Sequence, residues 1–250
     1  MTQVHVILPG YNTQVLSEEV LQPYQSRELQ LSVRYVDIEV DAIRHEFDMA
    51  LIAPGLIAEV LAAEKEKADA IVIDLMADIA LRALREAVSI PVVSLPQTAM
   101  HVAAMMGNKF AIINTTEELT PIQENLARVY GLYDRLACVQ GVQLDPTADY
   151  RSEATMSALV EQCYDAVTSK QADVLILGSG RLIAYRDAIN ERLEREGINI
   201  PIIEPLPTGI YFAKFLADAR IAQSKRVYNS PAENSLKRYG NVLAAYTKGC

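Results

Sequence analysis

The sequence has no tryptophan, three cysteines and three histidines among its 250 residues. An odd, sparse cysteine count provides no disulfide framework, so a stapled secreted fold is excluded. Cys138, Cys163 and Cys250 also lack metal-ligand spacing, and no histidine cluster supplements them. Long hydrophobic runs are missing too: none reaches the roughly 18 residues that a membrane-spanning helix needs. Met1 to Gly10 has no basic stretch followed by an apolar one, as a signal peptide would. Basic residues are the minority, 23 Lys and Arg against 32 Asp and Glu, for a formal charge of −9. An acidic surface repels phosphate backbones and anionic headgroups, which argues against a nucleic-acid or membrane partner. There is no G-x-x-x-x-G-K-[ST] motif and no G-x-G-x-x-G after a strand, so no nucleotide, flavin or other cofactor is expected, and no metal. These absences describe a cytoplasmic protein in a reducing compartment.

What is present is apolar residues, half of the chain, in a repeating order. Short Val- and Ile-rich runs occur at Val4–Leu8, Leu31–Val36, Ala70–Leu75, Val92–Leu95, Phe110–Ile113, Cys138–Leu144, Val174–Leu177 and Ile202–Ile203. Such near-continuous runs suit strands buried on both faces, as in parallel sheets. Between them Leu56–Lys65, Ile79–Val88, Met100–Met106, Ile122–Tyr130, Met156–Val167, Leu182–Arg195 and Ile210–Leu216 read as amphipathic helices. Pro121 suits a first helical turn. The tail from Asn229 to Cys250 has a helical pattern with a polar end. The alternation predicts an α/β fold with right-handed crossovers.

The chain also resembles two versions of one unit. Val4–Leu8 has a counterpart at Phe110–Ile113, Ile71–Ile73 at Val174–Ile176, and Pro91-Val92-Val93 at Pro201-Ile202-Ile203, all at similar offsets. The expected lobes are residues 1–97 with 208–250, and residues 98–207. In such folds ligands bind beyond the carboxyl ends of the strands.

Polar residues stand directly after these runs. They are Pro9-Gly10-Tyr11-Asn12-Thr13, Asp74 and Asp78, Gln97 and Thr98, Asn114-Thr115-Thr116-Glu117, Gly178-Ser179-Gly180-Arg181, and Glu204 with Thr208. Hydroxyls, glycines and free backbone N–H groups there can hold a carboxylate. Helix capping is the plain alternative for each of them. Asp74 interrupts an apolar run, so it is either a satisfied structural group or a site residue with a perturbed pKa. Gly178-Ser179-Gly180 reads as a tight turn exposing a hydroxyl, although it is not a full G-x-S-x-G elbow. His5, His45 and His101 show no pattern of a base for it. Arg181 could clamp a carboxylate through two hydrogen bonds, or stand solvated at a helix start.

Taken in order, these residues resemble a known family. Ala70-Ile71-Val72-Ile73 through Leu81-Arg82-Ala83-Leu84-Arg85-Glu86 is similar to the segment around the third strand of hydantoin racemases. Pro91-Val92-Val93, Ala99-Met100-His101, Gly107, Phe110, Thr115, Pro121, Tyr130-Gly131-Leu132, Asp134-Arg135, Leu177-Gly178 and Ser224-Lys225 continue it. The chain resembles the Asp/Glu racemase superfamily in its hydantoin/allantoin branch. That resemblance implies two pseudo-symmetric lobes with parallel sheets, an active site in the cleft between them, and a homo-oligomer. It implies cofactor-free proton transfer next to a carboxylate or cyclic amide carbonyl, with one catalytic cysteine per lobe. Asn12, Thr13, Thr115 and amides near positions 75–78 and 179–181 would hold the substrate.

Aligned without gaps, the two cysteine positions hold Leu75 and Ser179. A leucine has no proton to give, and a serine without a base is a far weaker acid than a thiol, so two-thiol racemisation cannot operate. Arg181 stands where the family has glycine, Gln97 where it often has glutamate, and the first strand-end loop is one residue longer. The expectation is non-thiol acid/base chemistry, as an isomerase or lyase. Asp74 and Ser179 would be catalytic, and Asn12, Thr13, Leu75, Thr115, Thr116, Gly178, Gly180 and Arg181 would contact a small carboxylate or cyclic amide. A hydrolase opening a cyclic amide or imide, or a non-catalytic small-ligand-binding module, are the alternatives.

Overall fold

A computed structural model describes residues 1–10, 18–38, 43–142 and 153–246, with the side chains of 18, 19, 180, 181, 184, 233 and 236 left aside. The chain divides into two compact units, Met1–Leu95 with Gly209–Cys250, and Pro96–Thr208.

In the first unit β1 (Thr2–Leu8), β2 (Leu29–Tyr35), β3 (Ala70–Ile73) and β4 (Val92–Ser94) form a parallel sheet in the order β2-β1-β3-β4. In the second, β5 (Phe110–Asn114), β6 (Leu136–Gly141), β7 (Val174–Leu177) and β8 (Ile202–Ile203) repeat that order as β6-β5-β7-β8. The sequence offsets therefore reflect one topology used twice. Val4, Val6, Ile7, Ile71 and Val72 are inaccessible to solvent, as are Ile112, Ile113, Leu175 and Ile176. Branched side chains suit both faces of a covered pleat, and this accounts for their runs.

The connecting helices are α1 (Glu18–Leu21), α2 (Glu46–Lys65), α3 (Leu81–Ala87), α4 (Leu95–Met106), α5 (Thr120–Val129), α6 (Glu153–Thr168), α7 (Arg186–Arg195), α8 (Pro205–Asp218), α9 (Glu233–Arg238) and α10 (Gly240–Ala244). Pro121 does sit in the first turn of α5. Several boundaries differ from the sequence expectation, three of them in ways that bear on packing or on the site. Helix α2 begins ten residues before Leu56 and runs through Pro54-Gly55. It starts at His45, where Asp48 accepts the backbone N–H groups of Arg44 and His45. Gly55 has a packing reason: a Cβ there would lie 2.3 Å from Val36 Cγ1 and 3.0 Å from the Tyr246 ring. The expected helix Leu182–Arg195 is a 3-10 segment, Gly180–Tyr185, followed by α7. Gln97 and Thr98 lie in the first turn of α4, because β4 passes into that helix without a loop.

Strand β4 is an edge, and its backbone is covered by side chains. The Val92 N–H donates to Gln223 Oε1 at 3.0 Å, and Gln223 Nε2 donates back to the Val92 carbonyl at 3.2 Å. Arg85 adds two donors to the same carbonyl, at 3.2 and 3.1 Å. Lys225 Nζ reaches the Arg85 and Glu86 carbonyls at the end of α3. Gln223 thus acts as a one-residue strand, and the Ser224-Lys225 segment of the family resemblance lies in this latch. Replacing Gln223 with alanine removes two hydrogen bonds at an edge that Arg85 only half satisfies. Urea unfolding of Gln223→Ala is expected to show a loss of about 1–3 kcal/mol; an unchanged midpoint would contradict the latch.

Candidate functional site

Strands β3 and β7 are apolar along their length, and polar residues follow them at the carboxyl ends. In the first unit the ladder extends one residue past β3, with the Asp74 N–H donating to the Ile7 carbonyl at 2.9 Å. In the second, the Gly178 N–H donates to the Ile113 carbonyl at 2.7 Å in the equivalent place. The outer strands match as well: Val36 N–H bonds Leu8 O at 3.0 Å, and Val142 N–H bonds Asn114 O at 2.9 Å. Asp74 is therefore the ladder equivalent of Gly178, Leu75 of Ser179, and Leu8 of Asn114.

Asp74, Leu75, Asp78 and Ser94 gather at the ends of β3 and β4. Ser94 pairs with Ile73 in the ladder, and its hydroxyl donates to the Asp78 carboxylate in a short hydrogen bond. This bond ties the turn after β3 back to β4. That turn ends at Ala80, which has φ +48°, a left-handed conformation that L-residues with a Cβ rarely adopt. Helix α3 begins from Ala80, so Asp78 does not cap it.

The Asp74 carboxyl is half-buried and, among the described residues, has no hydrogen-bond or ion-pair partner. Burial alone pushes its pKa up, to about 6. Desolvation penalises the charged form, and no cation among the described residues offsets it.

In the second unit Thr115 and Thr116 follow β5, and Gly178 and Ser179 follow β7. Gly141, at the end of β6, lies under the Thr116–Glu117 backbone; a Cβ there would meet Thr116 C at 2.3 Å and Glu117 N at 2.5 Å. The Ser179 carbonyl accepts the Leu182 N–H at 2.9 Å as the 3-10 segment starts. Helices α5 and α7 start from Leu119 and Tyr185, neither with a side-chain capping bond, so Thr115, Thr116 and Ser179 are not their caps. Gly180 and Arg181 lie in the 3-10 segment, and the guanidinium of Arg181 is outside what is described. Asn12 and Thr13 also fall outside the described residues.

The histidines have other places. His5 is buried in β1, where burial and then Arg34 hold its pKa down. His45 precedes α2, and His101 bonds the Gln97 carbonyl through Nδ1 and tilts against Tyr130. Burial raises the thiol pKa of Cys138 to about 11 and that of Cys163 to about 12, so neither is a reactive thiolate.

The family described as Asp/Glu/hydantoin racemase matches residues 16–213. The chain belongs to the Asp/Glu/hydantoin racemase family. A hydantoin racemase of Pseudomonas sp. (strain NS671) is 26% identical over 204 residues, 81% of this chain and 79% of that protein. Allantoin racemase from Klebsiella pneumoniae has a similar fold, with a TM-score of 0.81 and 22% identity over 93% of this chain and 95% of that one. Unliganded arylmalonate decarboxylase is similar at a TM-score of 0.62 and 16% identity, covering 87% and 93%. Family membership and hydantoin racemase relatives support an isomerase-type enzyme. Within the family fold this chain carries an acid at position 74, and leucine and serine at 75 and 179. Among the described residues no helix is long and apolar enough to cross a membrane.

Sequence reasoning missed Gln123. Its side chain is fully buried and hydrogen-bonded to Asn114, at 2.7 and 3.2 Å. A signal existed: Gln123 and Ala127, four residues apart, form the inward face of α5.

An acid with a raised pKa weakens the fold when it ionises. Unfolded aspartate releases its proton near pH 3.9, whereas folded Asp74 holds it to about 6. The stability that the neutral form contributes is complete below the first value and is lost as pH rises through the second. Asp74→Asn should therefore be the more stable protein at pH 8, by up to about 3 kcal/mol, and no more stable at pH 4. Thermal unfolding at both values checks this, and an asparagine variant destabilised at pH 8 would contradict it.

Proposed function

We propose that this chain is a cofactor-independent isomerase of small cyclic amides or carboxylates, moving a proton at the carbon next to the carbonyl, with Asp74 as the proton-transfer group. The observation that carries the reading is the Asp74 carboxyl itself. It sits at the end of a buried strand, unpaired among the described residues, with its pKa raised to about 6 by burial. That value lets Asp74 take the proton near neutral pH, and inversion is completed when a proton is added to the other face, from Ser179 in this reading. The hydantoin racemase relatives support a hydantoin-like substrate. In this reading Ser179 is a polar anchor or proton donor. Thr115, Thr116 and the backbone amides of Gly178 and Gly180 bind the substrate, with Asn12 and Thr13, and Arg181 clamps a carboxylate. Leu75 packs against the carbon skeleton. Donors aimed at a carbonyl oxygen would stabilise the enolate that forms when the proton leaves.

A lyase is the second reading, favoured by the replacement of one candidate proton-transfer position by Leu75, which has no transferable proton. In a decarboxylation the C–C bond to the leaving carboxylate breaks, carbon dioxide departs with no electrons, and the remaining enolate takes one proton from neutral Asp74. One acid suffices. The two readings need opposite forms of Asp74, so the pH profile separates them. For the isomerase, incubation of 5-substituted hydantoins or allantoin in heavy water is expected to bring solvent deuterium to the α-carbon. The rate should rise with pH and level off above about 6, set by the Asp74 pKa. Release of carbon dioxide from malonates, at a rate that falls above that pH, would replace the isomerase reading with the lyase one. Asp74→Asn is expected to slow either reaction at least about 100-fold. Full activity in that variant would remove Asp74 from the chemistry.

A further inference from the structure

The amide pair behind the Gly178 turn has no part in the proton transfer just described. Asn114 ends β5 with 1% of its surface exposed, and Gln123 of α5 is inaccessible. Asn114 Nδ2 donates to Gln123 Oε1 at 2.7 Å, and Gln123 Nε2 donates to Asn114 Oδ1 at 3.2 Å. Two carboxamides joined in this way orient each other, because flipping either one sets donor against donor and acceptor against acceptor. The oriented Oδ1 lies against Gly178: a Cβ on that residue would come within 2.0 Å of it, and within 2.9 Å of Asn114 Cγ. The Gly178 turn is also fixed by its N–H bond to the Ile113 carbonyl, whose oxygen the same Cβ would approach to 3.0 Å. The turn is thus held by the strand ladder and packed against the Asn114 side-chain oxygen.

An apolar pair of the same volume would fill this space without desolvating two amides. What the amides add is orientation, and the group they orient is the start of the Gly178–Ser179 turn. The first unit makes the contrast. There the ladder equivalents are Leu8 and Asp74, and the polar group is a half-buried acid without a partner among the described residues. In the second unit the polar group is on the neighbouring strand β5, buried and paired.

We propose that Gln123 is a positioning residue: through Asn114 it sets the Gly178–Ser179 turn, and with it the amides and hydroxyl offered to substrate. The catalytic consequence rests on the proposed function above, whereas the positioning itself does not. Two variants test it. Gln123→Met keeps the volume and removes both hydrogen bonds. In Gln123→Glu, the protonated carboxyl both donates to Asn114 Oδ1 and accepts from Nδ2, and the ionised form loses the donor. In the methionine variant, backbone amide exchange at Gly178 and Ser179 is expected to speed up at least about tenfold, with Ile112 and Ile176 unchanged. Its kcat/KM for deuterium incorporation into a hydantoin should fall about 10- to 100-fold. In the glutamate variant, protection of the Gly178 amide relative to wild type, and the ratio of variant to wild-type rate, should both fall as pH rises. Unchanged exchange at Gly178 and Ser179 in the methionine variant would overturn the proposal, as would pH-independent ratios in the glutamate variant. If exchange responds as expected while Ser179→Ala keeps full activity, the positioning stands and the role given to Ser179 falls.

Discussion

A strand covered on both faces and bonded along both edges has only its ends to offer polar side chains, because an unpaired polar group within it has no water to turn to. Much of this molecule follows from that constraint. It makes Ile71, Val72 and Ile73 apolar and lets Asp74 follow them. It makes Leu175, Ile176 and Leu177 apolar and lets Gly178-Ser179 follow. It also leaves the edge strand β4 in need of partners, which Gln223 and Arg85 supply from elsewhere in the chain. In a parallel sheet all carboxyl ends lie on one side, so the polar residues that follow the strands of each unit share one rim.

Within this shared geometry the two units diverge at matched positions. Each extends its ladder by one residue beyond the third strand of its sheet, but in one that residue is an acid and in the other a glycine. The glycine has no room for a side chain, because Asn114 already fills the space. The acid has no comparable partner among the described residues, and its proton is held by burial. A thiol is a weaker acid than a carboxyl and ionises near pH 8.5 when unperturbed. A carboxyl raised to about 6 approaches the same working range from the opposite direction. In the proposed function, a carboxyl at position 74 would thus do what the family resemblance assigns to a thiol.

The architecture was legible because period and composition agree: eight branched-residue runs became eight parallel strands, and the matched offsets became one strand order repeated. What sequence reading missed was set by tertiary contacts. The sequence reading starts a helix at Leu56, yet α2 begins at Glu46 and passes through Pro54-Gly55, where a Cβ on Gly55 would meet Val36 and Tyr246. The sequence reading places Gln97 and Thr98 between the fourth strand and a helix starting at Met100, yet β4 runs straight into α4. At the site, Asp74 stood out because it interrupts an apolar run. Gln123 did not, because its importance depends on Asn114, nine residues away, and on the missing Cβ of Gly178, neither of which a local pattern carries.

The central claim is that the Asp74 carboxyl is a neutral acid at slightly acid pH, poised near neutrality by desolvation. A titration of carboxyl carbon resonances by NMR, with the Asp74 signal assigned by its absence from Asp74→Asn, measures this without any substrate. The account predicts a midpoint of about 6. A midpoint at or below the ordinary aspartate value, about 3.9, would mean that Asp74 is a satisfied structural carboxylate, and the acid/base role built on it would fail.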